Sequence, residues 1–402
     1  MKIEELLQIK TELSSLTVFR SLLKDEVIAA LNDYFETLKY ADIDSSVSAY
    51  SRFVCLLYNA NGGKLTEYVE SICFNSENIY VKMIGNGEIP PEYIKASVVN
   101  ELDILSRIAA LTAEQLSEPI SSQKYIPSFR SGYTDILKSY EHRVNNIEKY
   151  GYGKYAANGM FYIDGNADII PVTNPDKVSL ESLIDYNGSR QRIIDNTVAL
   201  LNGKPAANIL LTGDAGTGKS STVKAIANEY YNDGLRIIEV RKEQLDIIPT
   251  ILDELSENPL KFILFIDDLA FLSDDDKFNG LKAVLEGSVS ARSKNVVVYA
   301  TSNRRHIIKE KFSDREGDEI HRNDVMQEMI SLSDRFGLHI TFQRPNKAAY
   351  LDIVHRLANQ SSLQIDDSEL ELKAERFALE RGGRSARLAR QFIDALIANS
   401  QA

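Results

Sequence analysis

The amino-acid sequence contains the run Asn208-Ile-Leu-Leu-Thr-Gly-Asp-Ala-Gly-Thr-Gly-Lys-Ser220. Its first residues form a short apolar run, three glycines follow within six positions, and the residues from Ser220 onward are typical of a helix. The segment Gly213–Ser220 matches the pattern G-x-x-x-x-G-K-[ST], in which glycines let backbone N–H groups turn toward an anion. A helix that starts here adds its unpaired N–H groups and the positive end of its dipole. The sequence therefore predicts a strand, a phosphate-binding loop and a helix.

The residues of this loop have expected places around a nucleotide. We expect Lys219 to reach the β- and γ-phosphates and the Ser220 hydroxyl to ligate Mg²⁺. The other loop residues would surround the phosphates with backbone N–H groups. The predicted nucleotide-binding residues of the loop are Gly213, Asp214, Ala215, Gly216, Thr217, Gly218, Lys219, Ser220 and Ser221.

Length and composition limit the class of protein. The chain has 402 residues, of which 44% are hydrophobic and 26% are charged, so two or three globular domains are expected. No apolar run is long enough to cross a bilayer, and residues 1–5 lack the profile of a signal peptide, so we expect a cytoplasmic protein without membrane contact. The formal net charge of −12 argues against attraction of nucleic acid over the whole surface, although a local basic patch stays compatible with it.

Hydrophobic periodicity divides the chain into four predicted segments. Residues 1–150 repeat apolar positions at helical spacing and carry no motif with recognisable chemistry, so a helical N-terminal domain is predicted. Strand-like runs around Gly165-Asn166 predict a β-hairpin that links this domain to the next, over residues 151–180. The phosphate-binding loop lies in a predicted α/β domain at 181–344, and helical spacing returns at 345–402.

A pair of acidic residues follows a second strand-like run. Residues 261–266 are almost continuously apolar and are followed by Asp267-Asp268, as expected for a central parallel strand that is covered on both faces. The carboxylates then lie at the carboxyl end of the strand, where open α/β sheets bind ligands. We expect Asp267 to hold Mg²⁺ through water, and Asp268 to orient or activate the attacking water.

Two further polar residues complete a predicted hydrolytic site. Asn303 follows a third strand-like run, where its side chain would lie beside the γ-phosphate and position water. Taken alone, an asparagine after a strand is typical of a turn. Arg335 is the predicted arginine finger, which stabilises charge developing on the γ-phosphate. The alternative for Arg335 is a weak surface pair with Asp314 or Asp318.

Five arginines cluster around Gly382-Gly383 in the helical tail. One of them is expected to face the nucleotide and the others to form a basic surface. That surface would be the best local candidate for contact with nucleic acid or an acidic partner. The five are Arg376, Arg381, Arg384, Arg387 and Arg390.

In their order along the chain, these motifs resemble those of the AAA+ superfamily of P-loop ATPases. The matching segments are Gly213–Ser220 for the phosphate loop, Phe262–Asp268 for the acidic strand, Ala300–Asn303 for the first sensor, Asp334–Gly337 for the arginine finger and Gly382–Arg387 for the second sensor.

Longer runs are similar to a bacterial family of predicted ATP-binding proteins whose cellular role is undefined. These runs are Tyr299–His306, Leu332–Leu338 and Gly383–Arg387. The resemblance implies an α/β domain, in which helices flank a parallel sheet, with a C-terminal helical lid. The mostly helical N-terminal domain would precede it.

The resemblance also implies a site shared between subunits. ATP and Mg²⁺ would bind between the protomers of a homo-oligomer, of which a hexameric ring is one form, and Arg335 would act across the interface. The second sensor is assigned to Arg384, with Arg387 as the alternative. The residues whose backbone would hold adenine are Ile184, Asp185 and Tyr186.

The chain departs from the commonest AAA+ pattern at Asp268, where many members have Glu. The shorter side chain would place water less well, and an Asp-Asp pair resembles replication initiators and helicase loaders, which use ATP largely as a switch. The leading hypothesis is an ATPase that assembles with its own kind and remodels an unidentified macromolecule. The alternatives are a slowly hydrolysing ATP-dependent switch or loader acting on nucleic acid, and a nucleotide-binding scaffold without turnover.

Overall fold

The fold was analysed in a computed structural model. It describes residues 2–40, 42–121, 125–183, 187–269, 271–272, 285, 294–303, 308–309, 335–361, 363 and 365–400. The chain divides into two compact units, Met1–Ala157 and Asn158–Ala402. No helix in the described ranges is both long enough and apolar enough to cross a membrane.

The first unit is built from helices. Apolar side chains recur at three- and four-residue spacing, so each helix turns one face to a common core that includes the fully buried Tyr34 and Phe53. Asp25 begins one helix by accepting from two N–H groups of its first turn, which supplies acceptors that the helix itself lacks. The α-helices are α1 (Ile3–Ser14), α2 (Glu26–Thr37), α3 (Ile43–Asn61), α4 (Leu65–Phe74), α5 (Ile79–Gly85), α6 (Glu92–Ala109), α7 (Ala113–Ser117), α8 (Ile136–Val144), α9 (Ile147–Tyr150) and α10 (Lys154–Ala157), with 3-10 turns at Arg20–Lys24 and Glu118–Ile120.

A buried carboxylate fastens the loop after α1 in this unit. Glu101, on α6, is only 4% exposed. Its Oε1 accepts from the N–H groups of Thr17 and Val18 at 2.9 and 3.1 Å and from the Thr17 hydroxyl at 2.5 Å. Its Oε2 accepts from the Phe19 N–H at 2.9 Å. The four hydrogen bonds compensate for the burial of the carboxylate.

The second unit contains a parallel sheet. The strands are β1 (Met160–Ile163), β2 (Ile169–Pro171), β3 (Ile209–Gly213), β4 (Leu235–Glu239), β5 (Lys261–Ile266), β6 (Phe271–Leu272), β7 (Val296–Ser302), β8 (Ile308–Lys309) and β9 (Leu338–Phe342). In the described residues the main sheet has the order β2-β1-β4-β5-β7-β3-β9, and β6 pairs with β8 separately. Only β1 and β2 are antiparallel in the main sheet. The β1–β2 hairpin, which lies in the segment predicted as a link, continues the sheet through β4.

Helices accompany this sheet and follow it. One apolar cluster joins strand residues such as Ile209 and Phe265 to helix residues such as Ile193 and Ile226. The C-terminal helices have their own core, which includes Tyr350. The helices are α11 (Asn187–Leu201), α12 (Lys219–Glu229), α13 (Ile248–Ser256), α14 (Lys347–Gln360), α15 (Asp367–Glu380) and α16 (Ala386–Ser400), with 3-10 turns at Tyr231–Asp233 and Lys242–Ile247. The predicted fold class, a helical N-terminal region followed by a parallel α/β sheet and C-terminal helices, is confirmed.

The strand order brings three strand ends together. Ile266, at the end of β5, is in register with Ala300 of β7. Thr212, near the end of β3, is in register with Ser302 of the same β7. Because these neighbouring strands are parallel, the loops that leave their carboxyl ends meet at one edge of the sheet.

Candidate nucleotide-binding site

The loop between β3 and α12 has a backbone that requires glycine. Gly213 has φ 140° and Gly218 has φ 88°, both in the region that L side chains rarely adopt. A Cβ on Gly213 would lie 2.0 Å from the carbonyl oxygen of Phe342 on the neighbouring β9. The next residue after Gly218 is Lys219, the first residue of α12, so the helix N-terminus opens directly onto the loop.

Lys219 is held inside this loop. Its Nζ donates to the carbonyl oxygens of Gly213 and Asp214 at 2.8 and 2.9 Å and to Oδ1 of Asn303 at 3.0 Å. Burial lowers the pKa of the Lys219 ammonium, and three neighbouring aspartates oppose that shift. A desolvated ammonium at the base of a glycine loop is well suited to binding an anion.

Two hydroxyl groups converge on the first acidic residue. The Ser220 hydroxyl donates to Oδ1 of Asp267 at 2.6 Å, and the Thr301 hydroxyl donates to the same oxygen at 2.5 Å. Within the described residues no group of three or more His, Cys, Asp or Glu side chains could hold a metal ion. One carboxylate with a hydroxyl nevertheless fits Mg²⁺, which keeps several waters and usually takes its other oxygens from a substrate's phosphates.

The second acidic residue and the predicted sensor are in direct contact. The Asn303 side-chain amide donates to Oδ1 of Asp268 at 2.7 Å, while its oxygen accepts from Lys219. Asp268 has φ 52°, a left-handed conformation that is uncommon for a residue with a side chain. The sequence-predicted Lys219, Ser220, Asp267, Asp268 and Asn303 are therefore brought together by hydrogen bonds.

A cavity of about 560 Å³ opens above the loop, within the size range of small-molecule sites. The loop and the two acidic residues form its floor. Apolar side chains from α14 and basic side chains from α16 form one wall, and the segment before α11 forms another. Besides the floor, the lining residues include Val178, Ser182, Leu183, Arg190, Ile353, Leu357, Arg387 and Arg390.

Two side chains hold the segment before α11 against this cavity. The Asn228 amide, near the end of α12, donates to the carbonyl oxygens of Asp176 and Val178, both at 2.8 Å. Nη1 of Arg190 donates to the carbonyl oxygen of Leu183 at 3.0 Å. The predicted adenine-side residues follow directly but lie outside the described residues. They are Ile184, Asp185 and Tyr186.

The C-terminal helices contact the loop directly. Arg344, between β9 and α14, pairs through Nε with Oδ2 of Asp214 at 3.3 Å and donates through Nη1 to the carbonyl oxygen of Gly382 at 3.1 Å. The backbone N–H of Arg387 donates to the carbonyl oxygen of Gly216 at 3.3 Å. The phosphate loop is thus linked to the helical region directly through Arg387 and indirectly through Arg344, which bridges Asp214 and Gly382.

Arg384, the favoured second sensor, does not line the cavity. Its guanidinium makes a bidentate pair with Glu375 on α15, at 2.8 and 2.7 Å, and this hydrogen bonding lowers the pKa of the Glu375 carboxyl. Arg387, the alternative, is a lining residue together with Arg390. The structure thus places Arg387 at the cavity and Arg384 against Glu375, which favours the alternative, and the identity of the second sensor stays a prediction.

The remaining arginines of the predicted basic surface are also engaged. Arg376 pairs with Glu380 at 3.0 Å, and the guanidinium of Arg381 lies 4.2 Å from the ring centre of Phe377. Two of the five arginines thus line the cavity, and the other three contact Glu375, Glu380 and Phe377. The basic surface stays a prediction.

Arg335 lies at the other end of the sheet. It precedes Leu338, the first residue of β9, which is in register with Ile209, the first residue of β3. The length of a five-residue strand, roughly 13 to 16 Å, therefore separates Arg335 from the phosphate loop of its own chain. Arg335 is half-buried and is not a lining residue.

Three residues around the cavity were not predicted to have a role of their own. Thr301 was predicted only as part of the strand-like run and of the sensor segment, although a polar residue at the end of an apolar run is a detectable signal. Asn228 and Arg344 act through contacts between distant segments, which a single sequence does not mark.

Comparison with models of known protein families identifies the family of this chain. Residues 156–400 match the model of the family described as "Protein of unknown function (DUF815)". The chain belongs to this family. The DUF815 match covers the whole sheet and the C-terminal helices.

More distant similarity reaches proteins of described role. The chain is 22% identical over 299 residues to the chaperone protein ClpB of Rickettsia conorii, covering 63% of this chain and 32% of ClpB. It is 23% identical over 129 residues to the replication factor C large subunit of Methanococcus maripaludis, covering 31% of this chain and 26% of that protein. The chain thus spans a third or less of these relatives. Its predicted membership of the AAA+ P-loop superfamily is confirmed.

Solved structures include the Thermotoga maritima RuvB Holliday junction branch migration motor, at 17% identity and a TM-score of 0.39, covering 56% of this chain and 67% of RuvB.

Proposed function

We propose that this DUF815 chain binds ATP with Mg²⁺ and hydrolyses it at an interface between copies of itself, in order to rearrange a macromolecular partner. The observation that carries the proposal is the 2.6 Å contact between Ser220 and Asp267 beside the buried Lys219. A hydroxyl, a carboxylate and an ammonium at a glycine loop are the groups with which proteins bind a nucleoside triphosphate and its Mg²⁺.

The phosphate side is formed by the loop. Its backbone N–H groups and Lys219 would bind the β- and γ-phosphates, and Arg387 would add a second cation from α16. Bound Mg²⁺ would be held by Ser220 and, through water, Asp267, and would neutralise charge on the phosphates. The apolar Ile353 and Leu357, which also line the cavity, suit the base.

Asp268 and Asn303 would serve the chemical step. Asp268 is a carboxylate next to the phosphate loop and could accept a proton from the attacking water. The Asn303 amide, bonded to Asp268 at 2.7 Å and to Lys219 at 3.0 Å, is suited to orient both that carboxylate and the water. On ligand binding, Lys219 would exchange some of its present partners for phosphate oxygens.

An arginine finger would have to come from another copy. Since Arg335 lies about a strand length from the loop of its own chain, it cannot reach its own cavity. Arg335 on a neighbouring protomer could do so, and this supports a homo-oligomer with shared sites.

Calorimetry with ATP and Mg²⁺ tests the binding. Lys219→Ala should abolish it, while Lys224→Ala, on the same helix and outside the cavity lining, should bind as the unaltered chain does. Asp268→Asn and Arg335→Ala should bind ATP but hydrolyse it at least about 100-fold more slowly. The absence of ATP binding by the unaltered chain would refute the proposal.

Mixing two inactive variants tests the shared site. Lys219→Ala supplies an intact Arg335, and Arg335→Ala supplies an intact loop, so a co-assembled mixture should recover part of the ATPase activity. A mixture that is shown to co-assemble and stays inactive would contradict the shared site.

The second candidate function is a slow ATP-dependent switch or loader on nucleic acid. The short Asp268 side chain, held by Asn303, favours slow turnover. Arg376 and Arg384 are paired with Glu380 and Glu375, which offsets part of the positive charge that a nucleic-acid surface would use, so the remodelling ATPase is preferred. ATPase assays with and without single- or double-stranded DNA separate the two, because strong stimulation with salt-sensitive binding would favour the switch.

A further inference from the structure

The turn after β5 is attached to β7 through Thr301. The backbone N–H of Asp268 donates to the Thr301 hydroxyl at 2.9 Å, and the N–H of Leu269 donates to the Thr301 carbonyl oxygen at 2.7 Å. The hydroxyl itself donates to Oδ1 of Asp267 at 2.5 Å. A hydroxyl has one hydrogen to donate and two lone pairs to accept with, so this group binds two consecutive acidic residues at once.

The burial of Thr301 and the backbone conformation of Asp268 indicate that these hydrogen bonds are structurally important. Thr301 is only 2% exposed, so water does not readily replace its partners. Asp268 has φ 52°, a conformation that is costly for a residue with a side chain and persists only where surrounding bonds hold it. The hydrogen bond from its N–H to Thr301 is one that fixes this conformation.

We propose that Thr301 is a positioning residue for ATP hydrolysis, an inference that rests on the proposed function. Its hydroxyl turns Asp267 toward Ser220 and holds the turn that directs Asp268 toward Asn303. Ser302 cannot take this role, since side chains alternate between the two faces of a strand. Thr301 touches Asp267 and Asp268 and not the reacting atoms, and so acts through them.

The test compares Thr301→Val, which keeps the shape without the hydroxyl, with Thr301→Ser, which keeps the hydroxyl. In the nucleotide-free chain, Thr301→Val should speed hydrogen exchange of the Asp268 amide at least about tenfold. That N–H loses its acceptor at 2.9 Å and keeps only the longer contact with Oδ1 of Asp267, at 3.2 Å. It should lower kcat about 30- to 100-fold, the scale of effect that misplacement of a catalytic group produces. Thr301→Ser should stay within about threefold of the unaltered chain in both measurements.

Magnesium dependence gives a third measurement. Thr301→Val should raise the Mg²⁺ concentration needed for tight ATP binding about three- to tenfold, through the released Asp267. Its ATP affinity in EDTA should stay within about twofold, because the loop and Lys219 are untouched. Thr197→Val is the matched control for the loss of a buried threonine hydroxyl that bonds to β7. Thr197 is a fully buried threonine on α11 whose hydroxyl bonds to Tyr299 of the same β7 at 2.8 Å, and it lies outside the cavity lining.

The outcomes separate this inference from the function it rests on. Unchanged amide exchange at Asp268 in Thr301→Val overturns the inference whether or not the chain binds ATP. An equal loss of ATP affinity with Mg²⁺ and in EDTA also overturns it, since general damage would then explain the variant. A chain that does not bind ATP at all refutes the proposed function, and amide exchange at Asp268 then still shows by itself whether Thr301 holds the turn. Should Thr301→Val fail to fold, Thr301→Ala removes the hydroxyl without the added methyl group and gives the same measurements.

Discussion

Separate replacement of Arg387 and Arg384 tests which of the two arginines contributes to ATP binding. Arg387 lines the cavity and Arg384 does not. Arg387→Ala should weaken ATP binding, because a guanidinium in the cavity wall would no longer bind phosphate. Hydrogen bonds to charged groups contribute about 1.5 to 3 kcal/mol, which corresponds to an increase in Kd of about 10- to 150-fold. Arg384→Ala should change the Kd less than about threefold, since Glu375 holds its guanidinium at 2.7 and 2.8 Å.

Calorimetry with ATP and Mg²⁺ measures the Kd of both variants. Thermal unfolding measures their stability, in which the two variants should also differ. Arg384→Ala should lower the midpoint of unfolding, because the Glu375 side chain, only 15% exposed, loses its bidentate partner. Arg387→Lys should retain part of the ATP affinity, because the lysine ammonium keeps the positive charge but cannot bind phosphate bidentately. Equal losses of ATP affinity in Arg384→Ala and Arg387→Ala would refute the assignment of the phosphate contact to Arg387.

Three other predictions concern stability. The pKa of the Glu375 carboxyl is held below its usual 4.5 by a neighbouring guanidinium. Such a group stabilises the fold above the unfolded pKa and loses this effect as the pH falls through the lowered value. The difference in unfolding midpoint between the unaltered chain and Glu375→Gln should therefore shrink as the pH falls below 4.5. Glu101→Gln should cost about 2 kcal/mol and speed exchange of the three amides that its carboxylate binds, and slow exchange there would contradict this role. Gly213→Ala should prevent formation of the phosphate loop, because its Cβ would lie 2.0 Å from the Phe342 carbonyl oxygen, whereas Gly165→Ala, where a Cβ meets open space, should fold and bind ATP normally.

The fold class was predictable because its signals are local. The segment 208–220 carries strand, loop and helix in immediate succession, and the apolar runs at 261–266 and 295–301 have the length and bounds of buried strands. The rule that parallel strands bring their carboxyl ends to one edge then predicts that Asp267 and Asn303 lie near the loop. Their hydrogen bonds to Ser220 and Lys219 follow from this topology and need no further information.

Which of Arg384 and Arg387 lines the cavity was not predictable, since it depends on a distant residue. The two are three positions apart, a spacing that would place both on one face of a helix. Helix α16 begins only at Ala386, so Arg384 lies before it. Glu375, nine residues earlier on another helix, then takes up its guanidinium. Neither the start of α16 nor this tertiary contact is encoded in the spacing of the arginines.

The contacts between loop and C-terminal helices also escape sequence analysis, and they bear on how ATP could do work. Two of the three acceptors are carbonyl oxygens, of Gly216 and Gly382, which any residue could supply. The third contact is the ion pair between Arg344 and Asp214, whose side chains are both about half exposed. Such a pair contributes at most about 1 kcal/mol to stability. Helices α14 to α16 share a core of their own, so breaking these weak contacts would leave them intact as one body. A ligand that reshapes the phosphate loop would act on the helical region through these contacts, as the proposed ATP-driven rearrangement requires.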